Sequence, residues 1–380
     1  MVAPYLPAPF DSGGRIRMGA LARALAEVGE VELFARAFPV ELEDASAART
    51  GALARWRRVH LFGRGAPSGL PLRDPWRARD ATPRALCDAL SRAHRRAPWD
   101  AVIACHAYAF GAIARLVDTV RVLDEHNLEG RYAREVLRAN PLECNAMERF
   151  ERRAWRDADL VTCVREDDRR TIARHTSAQT AVIPNGVALD AVPWRPPSAR
   201  SGRAVLFVGA LSHRPNVEAC VALAQEILPR LLRVEPAARL ILCGRAPDAA
   251  VRALASDRVT VTGTVPDTAP WLDAASVFAN PIRAGEGTSL KLVEAAAAGL
   301  PIVSTAVGAR GFAMHPGTHL LRAETPDEFA AAIVSCWRDP SGAEARAIAA
   351  RTVAASHGWD RIGTEFAARV MERVRARRAP

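Results

Sequence analysis

The sequence predicts an α/β chain of two parallel-sheet domains, and three observations lead there. Short apolar runs alternate with longer amphipathic ones along most of the chain, the pattern of strand–helix units whose crossovers return to a parallel strand. A Pro/Ser/Gly-rich stretch, Pro193-Trp194-Arg195-Pro196-Pro197-Ser198-Ala199-Arg200-Ser201-Gly202, separates two such series and reads as a linker. At 380 residues the chain is long enough for each series to bury its own core.

The first series opens with a helix expected over 17–27. Strands follow at 31–34, 101–104, 121–124 and 160–163, with a helix over 145–156 before the last. No strand is evident ahead of the first helix, because the N-terminus is short; a truncated first strand is expected there. Residues 36–80 are Arg/Pro/Gly-rich loops with no identifiable code. In the second series, strands are expected at 204–209, 239–244, 259–263, 277–280 and 301–305, with helices over 217–234 and 269–275. A last helix, 360–378, carries Ile362, Phe366, Val370 and Val374 at helical spacing, so its apolar stripe needs a surface to cover. No repeat of solenoid period is present.

Composition narrows the function classes. Charged residues are 25% and hydrophobic ones 49%, ordinary for a globular protein. The net charge of +10 would suit nucleic acid, yet no nucleic-acid motif is present, and aromatics at 6% are too few for base-stacking platforms. Arginine drift on solvated helix faces accounts for most of the charge; a polyanionic ligand or an acidic membrane surface accounts for it as well as nucleic acid does. The seven cysteines have no C-x-x-C or ladder spacing and several lie in apolar runs, so they read as small buried hydrophobes in a reducing compartment. The N-terminus has no basic n-region or apolar h-region, and no apolar run approaches the roughly 20 residues that span a bilayer. A cytoplasmic protein is expected, with peripheral contact at the inner face of the membrane left open.

The chemistry concentrates in Gly285-Glu286-Gly287-Thr288-Ser289-Leu290-Lys291-Leu292-Val293-Glu294. Lys291 is the only lysine in a chain that otherwise writes its positive charge as arginine. That exception marks a place for a compact ammonium instead of a planar fork. A Gly-rich loop running into a helix N-terminus presents backbone N–H groups and a positive dipole end, a cradle for phosphate. Carboxylates beside such a cradle suit the hydroxyl groups of a sugar on the same ligand, so the segment points to nucleotide sugars. Two glutamates eight apart are common by chance on a helix; here Glu286 lies in the loop before the helix, between two glycines. His106 and His126 each follow a predicted strand, where ligands gather in open α/β sheets. A lone histidine is usually structural, but two at successive strand ends shift the balance toward a site.

These residues carry a resemblance. Phe207-Val208-Gly209-Ala210-Leu211, Val261-Thr262-Gly263-Thr264-Val265-Pro266-Asp267, Trp271-Leu272-Asp273-Ala274-Ala275 and the Glu286-x7-Glu294 motif resemble the nucleotide-binding domain of the retaining family 4 glycosyltransferases (glycosyl transferases group 1). Asp11-Ser12-Gly13-Gly14-Arg15-Ile16-Arg17, Asp124-Glu125-His126-Asn127-Leu128-Glu129 and Ile183-Pro184-Asn185-Gly186-Val187 resemble its first domain. The resemblance implies a GT-B fold: two Rossmann-like domains facing across a cleft, with the C-terminal helix crossing back to the N-terminal domain. The expected division is 1–193 for acceptor binding, 194–359 for nucleotide-sugar binding, and 360–380 for the returning helix.

The resemblance also implies residue roles. Glu294 holds the donor ribose, Glu286 faces the transferred sugar and its phosphate, and the backbone of Gly287, Thr288, Ser289 and Leu290 binds the diphosphate. Gly13, Gly14, Gly209 and Val265 complete the donor side, and His106 hydrogen-bonds the donor sugar beside the reacting carbon. Arg17, His126, Asn127 and Glu129 are expected on the acceptor side. Family members carry an arginine after the glycine matched by Gly209 and a lysine five residues later; here those positions are Ala210 and Pro215. Lys291, Arg214 and Arg283 are the candidate replacements, though for Arg214 a solvated loop arginine is an equal reading. Asp157-Ala158-Asp159 falls at a helix-to-strand junction and reads as a cap and turn, so no metal or other cofactor is expected. The implied activity is transfer of a sugar, with retention, from a nucleoside diphosphate to a glycan, lipid-linked or small-molecule alcohol. Sugar-nucleotide epimerisation and non-catalytic nucleotide-sugar binding are the alternatives.

Overall fold

The computed structural model describes residues 1–8, 12–38, 56–63 and 70–379. Asp11 of the Gly13-Gly14 motif and part of the 36–80 loop region lie outside the described residues. The chain divides into two compact units, Met1–Asn185 with Asp360–Pro380, and Gly186–Trp359.

The first unit holds a parallel sheet of seven strands: β1 (Val2–Ala3), β2 (Glu32–Arg36), β3 (Arg58–Phe62), β4 (Ala101–Cys105), β5 (Val120–Glu125), β6 (Leu160–Cys163) and β7 (Gln179–Val182), in the order β3-β2-β1-β4-β5-β6-β7. The truncated first strand is therefore present: two residues, pairing Val2 with Phe34 on one side and with Ala104 on the other. The chain winds outward from β1 through β2 and β3, then returns to β4 and winds the other way. That reversal opens a crevice at the carboxyl ends of β1 and β4, where open α/β sheets bind ligands. The helix Gly13–Ala26 follows β1, and His106 follows β4.

In the second unit the strands are β8 (Ala204–Val208), β9 (Arg239–Cys243), β10 (Val259–Gly263), β11 (Val277–Asn280), β12 (Ile302–Ser304) and β13 (Leu321–Arg322). They form a parallel sheet in the order β10-β9-β8-β11-β12-β13. The same reversal recurs here between β8 and β11. Gly209 lies at the end of β8, and the Glu286–Glu294 segment runs from the end of β11 into the helix Leu290–Ala297.

Two expectations are revised. Residues 193–202 are not a free linker but a bound part of the second unit. The Arg200 guanidinium, 8% exposed, donates to the carbonyls of Leu272, Asp273, Ala275 and Ala298, which pins the stretch down. The second unit already begins upstream, where Val187 exchanges backbone hydrogen bonds with His357 and Trp359. The helix expected over 217–234 is Arg214–Val221 and Leu228–Val234 joined by a π-helical segment, Ala222–Ile227. Pro229 lacks the N–H that a regular turn would use, and the wider segment precedes it.

The last helix, Trp359–Arg378, buries Ile362, Phe366, Val370 and Val374, as its apolar stripe requires, and residues from Asp360 belong to the first unit. A Cβ on Gly363 would lie 2.6 Å from that of Ala24 in the first helix. Six of the seven cysteines are buried and none is in a disulfide. No helix among the described residues is long and apolar enough to cross a membrane.

Candidate active site

In the second unit the site forms around Lys291. Its position in the first turn of Leu290–Ala297 aims the ammonium back at the end of β8, since helical side chains lean toward the N-terminus. Nζ donates to Asn216 Oδ1 at 2.7 Å and lies 4.2 Å from the centre of the Phe207 ring, within cation–π range. Asn216 is fixed in turn, its Nδ2 donating to the Ala210 carbonyl at 2.8 Å. A Cβ on Gly209 would sit 2.8 Å from both Lys291 Nζ and Asn216 Nδ2, so only glycine leaves room for this arrangement. Gly244, at φ +150°, is needed for the same reason: any side chain there would run into the Gly209 carbonyl. The single lysine thus lies against Gly209, beside Ala210, where the family's arginine is missing.

Burial lowers the Lys291 ammonium to about 7, partly offset by Cys220 and Glu294, and raises the Glu294 carboxyl to about 7 against the pull of Lys291. Charge here is held out of bulk water, so a partner charge brought in by a ligand acts strongly. Glu286 is partly buried in the preceding loop, and Gly287 turns the chain at φ +73°. The Ser289 hydroxyl, at the N-cap, is buried without a hydrogen-bond partner among the described residues. Leu290 is buried, leaving its backbone as the only part that can meet a ligand, and Thr288 packs against Gly311. Val265, partly buried, lies just beyond β10 at the outer edge of the sheet, away from the reversal.

The other two candidate clamps are placed differently. Arg214 pairs with Glu218 at 2.9 Å on an exposed helix face, and Arg283 donates to the Glu324 carbonyl at 3.2 Å from an exposed position. Of the three, Lys291 alone lies at the end of β8.

In the first unit, Gly14, Tyr5, His106 and His126 come together at the reversal point. His106 has φ +66°, strained for a side-chain-bearing residue. Its Nδ1 lies 2.8 Å from Glu129 Oε1 and its Nε2 lies 2.9 Å from the Tyr5 hydroxyl. Tyr108 stacks on His106 and donates to the other Glu129 oxygen. The His126 ring centre is 3.9 Å from that of His106, and a Cβ on Gly14 would collide with the Tyr5 hydroxyl. Asn127 is partly buried, and Gly13 is exposed at the start of its helix.

Arg17 and Glu129 do not face an acceptor as expected. Arg17 is fully buried; it binds Asp124 through Nε (2.9 Å) and Nη2 (2.6 Å), while Nη1 donates to the carbonyls of Ile183 and Pro184 and to Asn185 Oδ1. The whole side chain is buried and every stated contact of its guanidinium lies inside this unit. It is a clamp that ties β5 to the loop after β7. Glu129, 1% exposed, has both carboxylate oxygens engaged behind His106. Glu125 also points inward, accepting from Trp155 Nε1 and the Ala107 amide; burial and neighbouring Glu151 raise its carboxyl well above the ordinary range. Asp159 of the Asp-x-Asp segment accepts from the Arg121 amide at 2.8 Å, the turn role expected of it.

Asn216, Tyr5 and Tyr108 are absent from the sequence reading, and Phe207 and Asp124 stand there only as members of longer motifs, without a role. Asn216 and Phe207 take their roles from the packing of Lys291, which no local pattern shows.

Known families and proteins match this chain along most of its length. Residues 12–191 match the glycosyltransferase family 4 model and residues 202–339 the glycosyl transferases group 1 model. Glycogen synthase of Mycobacterium tuberculosis (strain ATCC 25618 / H37Rv) is 29% identical over 290 residues, 71% of this chain and 67% of that protein. Phosphatidyl-myo-inositol mannosyltransferase of Mycobacterium leprae (strain TN) is 29% identical over 202 residues, 50% of this chain and about half, 53%, of that protein. Among solved structures, sucrose-phosphate synthase from Thermosynechococcus elongatus has a TM-score of 0.69 at 19% identity, covering 99% of this chain and 100% of that one. Anabaena HepE in complex with UDP-glucose has a TM-score of 0.70 at 18% identity, covering 98% and 99%. The two domain models in this order, on two parallel α/β sheets, show that the chain belongs to the family 4 glycosyltransferases of the GT-B fold.

Proposed function

We propose that the chain transfers a sugar, with retention of anomeric configuration and without a metal, from a nucleoside diphosphate to an alcohol acceptor. The observation that carries this reading is the lodging of Lys291 between Phe207, Asn216 and Gly209, at the head of the helix that follows Glu286. The helix N-terminus and the ammonium together offer the leaving diphosphate a positive pocket. Glu294, inside the same helix, takes the ribose hydroxyls, and Glu286 orients the sugar. The resemblance to retaining family members supports front-face attack: the acceptor oxygen bonds to the anomeric carbon as the bond to the diphosphate oxygen breaks. The departing phosphate takes the acceptor proton, so no protein general base is required. His106, held by Glu129 and Tyr5, is the other residue proposed to act in the reaction. HepE was solved with UDP-glucose, which makes a UDP-sugar the first donor to test, and a cell-envelope glycan or lipid-linked intermediate is the first acceptor to test. Non-catalytic binding was suggested by Ala210 and Pro215, and a lysine lodged beside Ala210 counts against it.

The test is donor hydrolysis and binding by variants. Glu294→Ala should raise the nucleotide Kd about tenfold or more through loss of charge-assisted hydrogen bonds. Glu286→Ala should chiefly lower turnover. Wild-type affinity and rate in both variants would refute the donor assignment.

A further inference from the structure

The loop between β11 and the helix Leu290–Ala297 is neither helix nor strand over residues 281–289, so its shape depends on what surrounds it. Part of that surrounding is the turn that follows β12. The two strands pair in parallel with Asn280 opposite Ser304, so the chain leaves them side by side. Thr305 opens the turn. Its amide donates to the Asn280 carbonyl at 3.3 Å, and its hydroxyl donates to the Ile282 carbonyl while accepting from the Gly308 amide at 2.9 Å. Further along, Arg310 Nη2 donates to the Gly285 carbonyl at 3.4 Å. Gly311 follows at φ +99°, and a Cβ there would collide with the Thr288 side chain. Glu324 ties the two segments once more, its Oε1 accepting from the Ala306 amide and its carbonyl from Arg283. The loop is thus held at 282, 283, 285 and 288 by chain that lies beyond β12.

The direction of these contacts matters more than their strength. In a trans peptide the carbonyl and the following N–H point opposite ways. Drawing the Gly285 carbonyl toward Arg310 turns the Glu286 amide away from the turn, and the Thr305 hydroxyl does the same for the Ile282 carbonyl and the Arg283 amide. Two carbonyl oxygens, each the negative end of a peptide dipole, are therefore held against the turn. A diphosphate is favoured by N–H groups and disfavoured by carbonyl oxygens. Which end a peptide presents thus decides whether the loop cradles phosphate or repels it.

We propose that Arg310 is a positioning residue for the diphosphate, acting through the Gly285 peptide to keep a carbonyl oxygen out of the cradle. Thr305 acts likewise through Ile282. Both work on the loop and not on the ligand, which separates them from Lys291 at the end of β8. A guanidinium suits the task, because a charged donor holds a carbonyl more firmly than a neutral one does. Gly311 serves the same end, since a larger residue would push Thr288 and the loop with it. In the sequence Arg310 is one arginine among many, 25 residues from the carbonyl it holds. The inference rests on the glycosyltransferase reading for the ligand's identity; the contacts stand on geometry alone.

The test is calorimetric titration of the full chain with UDP, GDP and dTDP, each beside its bare nucleoside, for wild type, Arg310→Ala, Arg310→Lys and Thr305→Val. Arg310→Ala should weaken diphosphate binding on the order of tenfold, the scale of a lost hydrogen bond from a charged donor, with nucleoside binding kept within about twofold. Arg310→Lys should recover most of the loss, because an ammonium can also donate to a single carbonyl. Thr305→Val removes a hydroxyl and no charge, and should show the same selective loss at about threefold. An unchanged ratio of diphosphate to nucleoside affinity in Thr305→Val overturns the inference, since Arg310 would then act by its charge on the ligand. Equal weakening of diphosphate and nucleoside in Arg310→Ala, wild-type affinity for both, or no recovery in Arg310→Lys overturns it as well. A wild type that binds no diphosphate overturns the donor reading itself, and the inference with it, a result that none of the variants is needed to recognise.

Discussion

Lys291 and Glu294 set opposite proton demands on nucleotide binding. Apo Lys291 loses its proton near pH 7, because burial disfavours the ammonium. A diphosphate brought beside it favours the charged form, so binding takes up a proton at and above pH 7. Glu294 is held protonated up to about 7 by the same burial, and ribose hydroxyls donating to it favour the carboxylate, so binding there releases a proton. Calorimetry near pH 7 in buffers of different ionisation enthalpy separates the two. Glu294→Gln should show net uptake and Lys291→Ala net release; the same linkage in both variants would refute the shared site. Lys291→Arg should also be impaired, because a fork needs more room than the gap between Gly209, Asn216 and the Phe207 ring provides. The importance of Lys291 was legible from composition, as the one lysine among arginines. Its partners were not, since β8, the helix from Arg214 and the helix from Leu290 meet only in the folded unit. The burial of Arg17 and Glu129 was hidden for a related reason: sequence shows a charged residue near a motif but not that the fold packs it inside, against Asp124 and His106.

The helix that carries Lys291 and Glu294 is held at its far end by Gly299, at φ +79°. A Cβ there would lie 2.5 Å from the Arg195 carbonyl and 2.7 Å from the Trp194 ring. Gly317 has a similar φ, +81°, but nothing within 4 Å. Gly299→Ala should therefore cost about 2–4 kcal/mol, conformational strain plus collision, and Gly317→Ala only about 1 kcal/mol. Equal shifts of the urea midpoint for the two variants would contradict this account of the helix end. The contact partner, residues 193–202, is the stretch that composition marks as a linker. Proline, serine and glycine report low helix and strand propensity; they do not report that Arg200 binds four carbonyls. The strands legible in the sequence are buried apolar runs such as Arg239–Cys243. Those missed are edge or very short strands: half-exposed Arg58–Phe62, Gln179–Val182, and the two-residue Leu321–Arg322. They take their conformation from a neighbour and carry little hydrophobic pattern of their own.

At the scale of the whole molecule, each unit repeats one device: a parallel sheet whose winding reverses, with a glycine-containing turn at the reversal. In the first unit that turn leads into Gly13-Gly14 beside His106 and His126; in the second it leads past Gly209 to the only lysine. The fold class followed from the alternation of runs, and the family from motifs that lie at these reversals. The central claim is that the second unit binds a nucleoside diphosphate through Lys291 and the Glu286–Glu294 segment. Calorimetric titration of wild type and Lys291→Ala with UDP, GDP and dTDP, each beside its bare nucleoside, tests it most directly. The account expects at least one diphosphate to bind the wild type. Lys291→Ala should weaken that binding by roughly 2–4 kcal/mol, at the scale of a charged contact in a water-poor site, while nucleoside binding changes little. Absence of binding by all three diphosphates, or equal weakening of diphosphate and nucleoside, would contradict it.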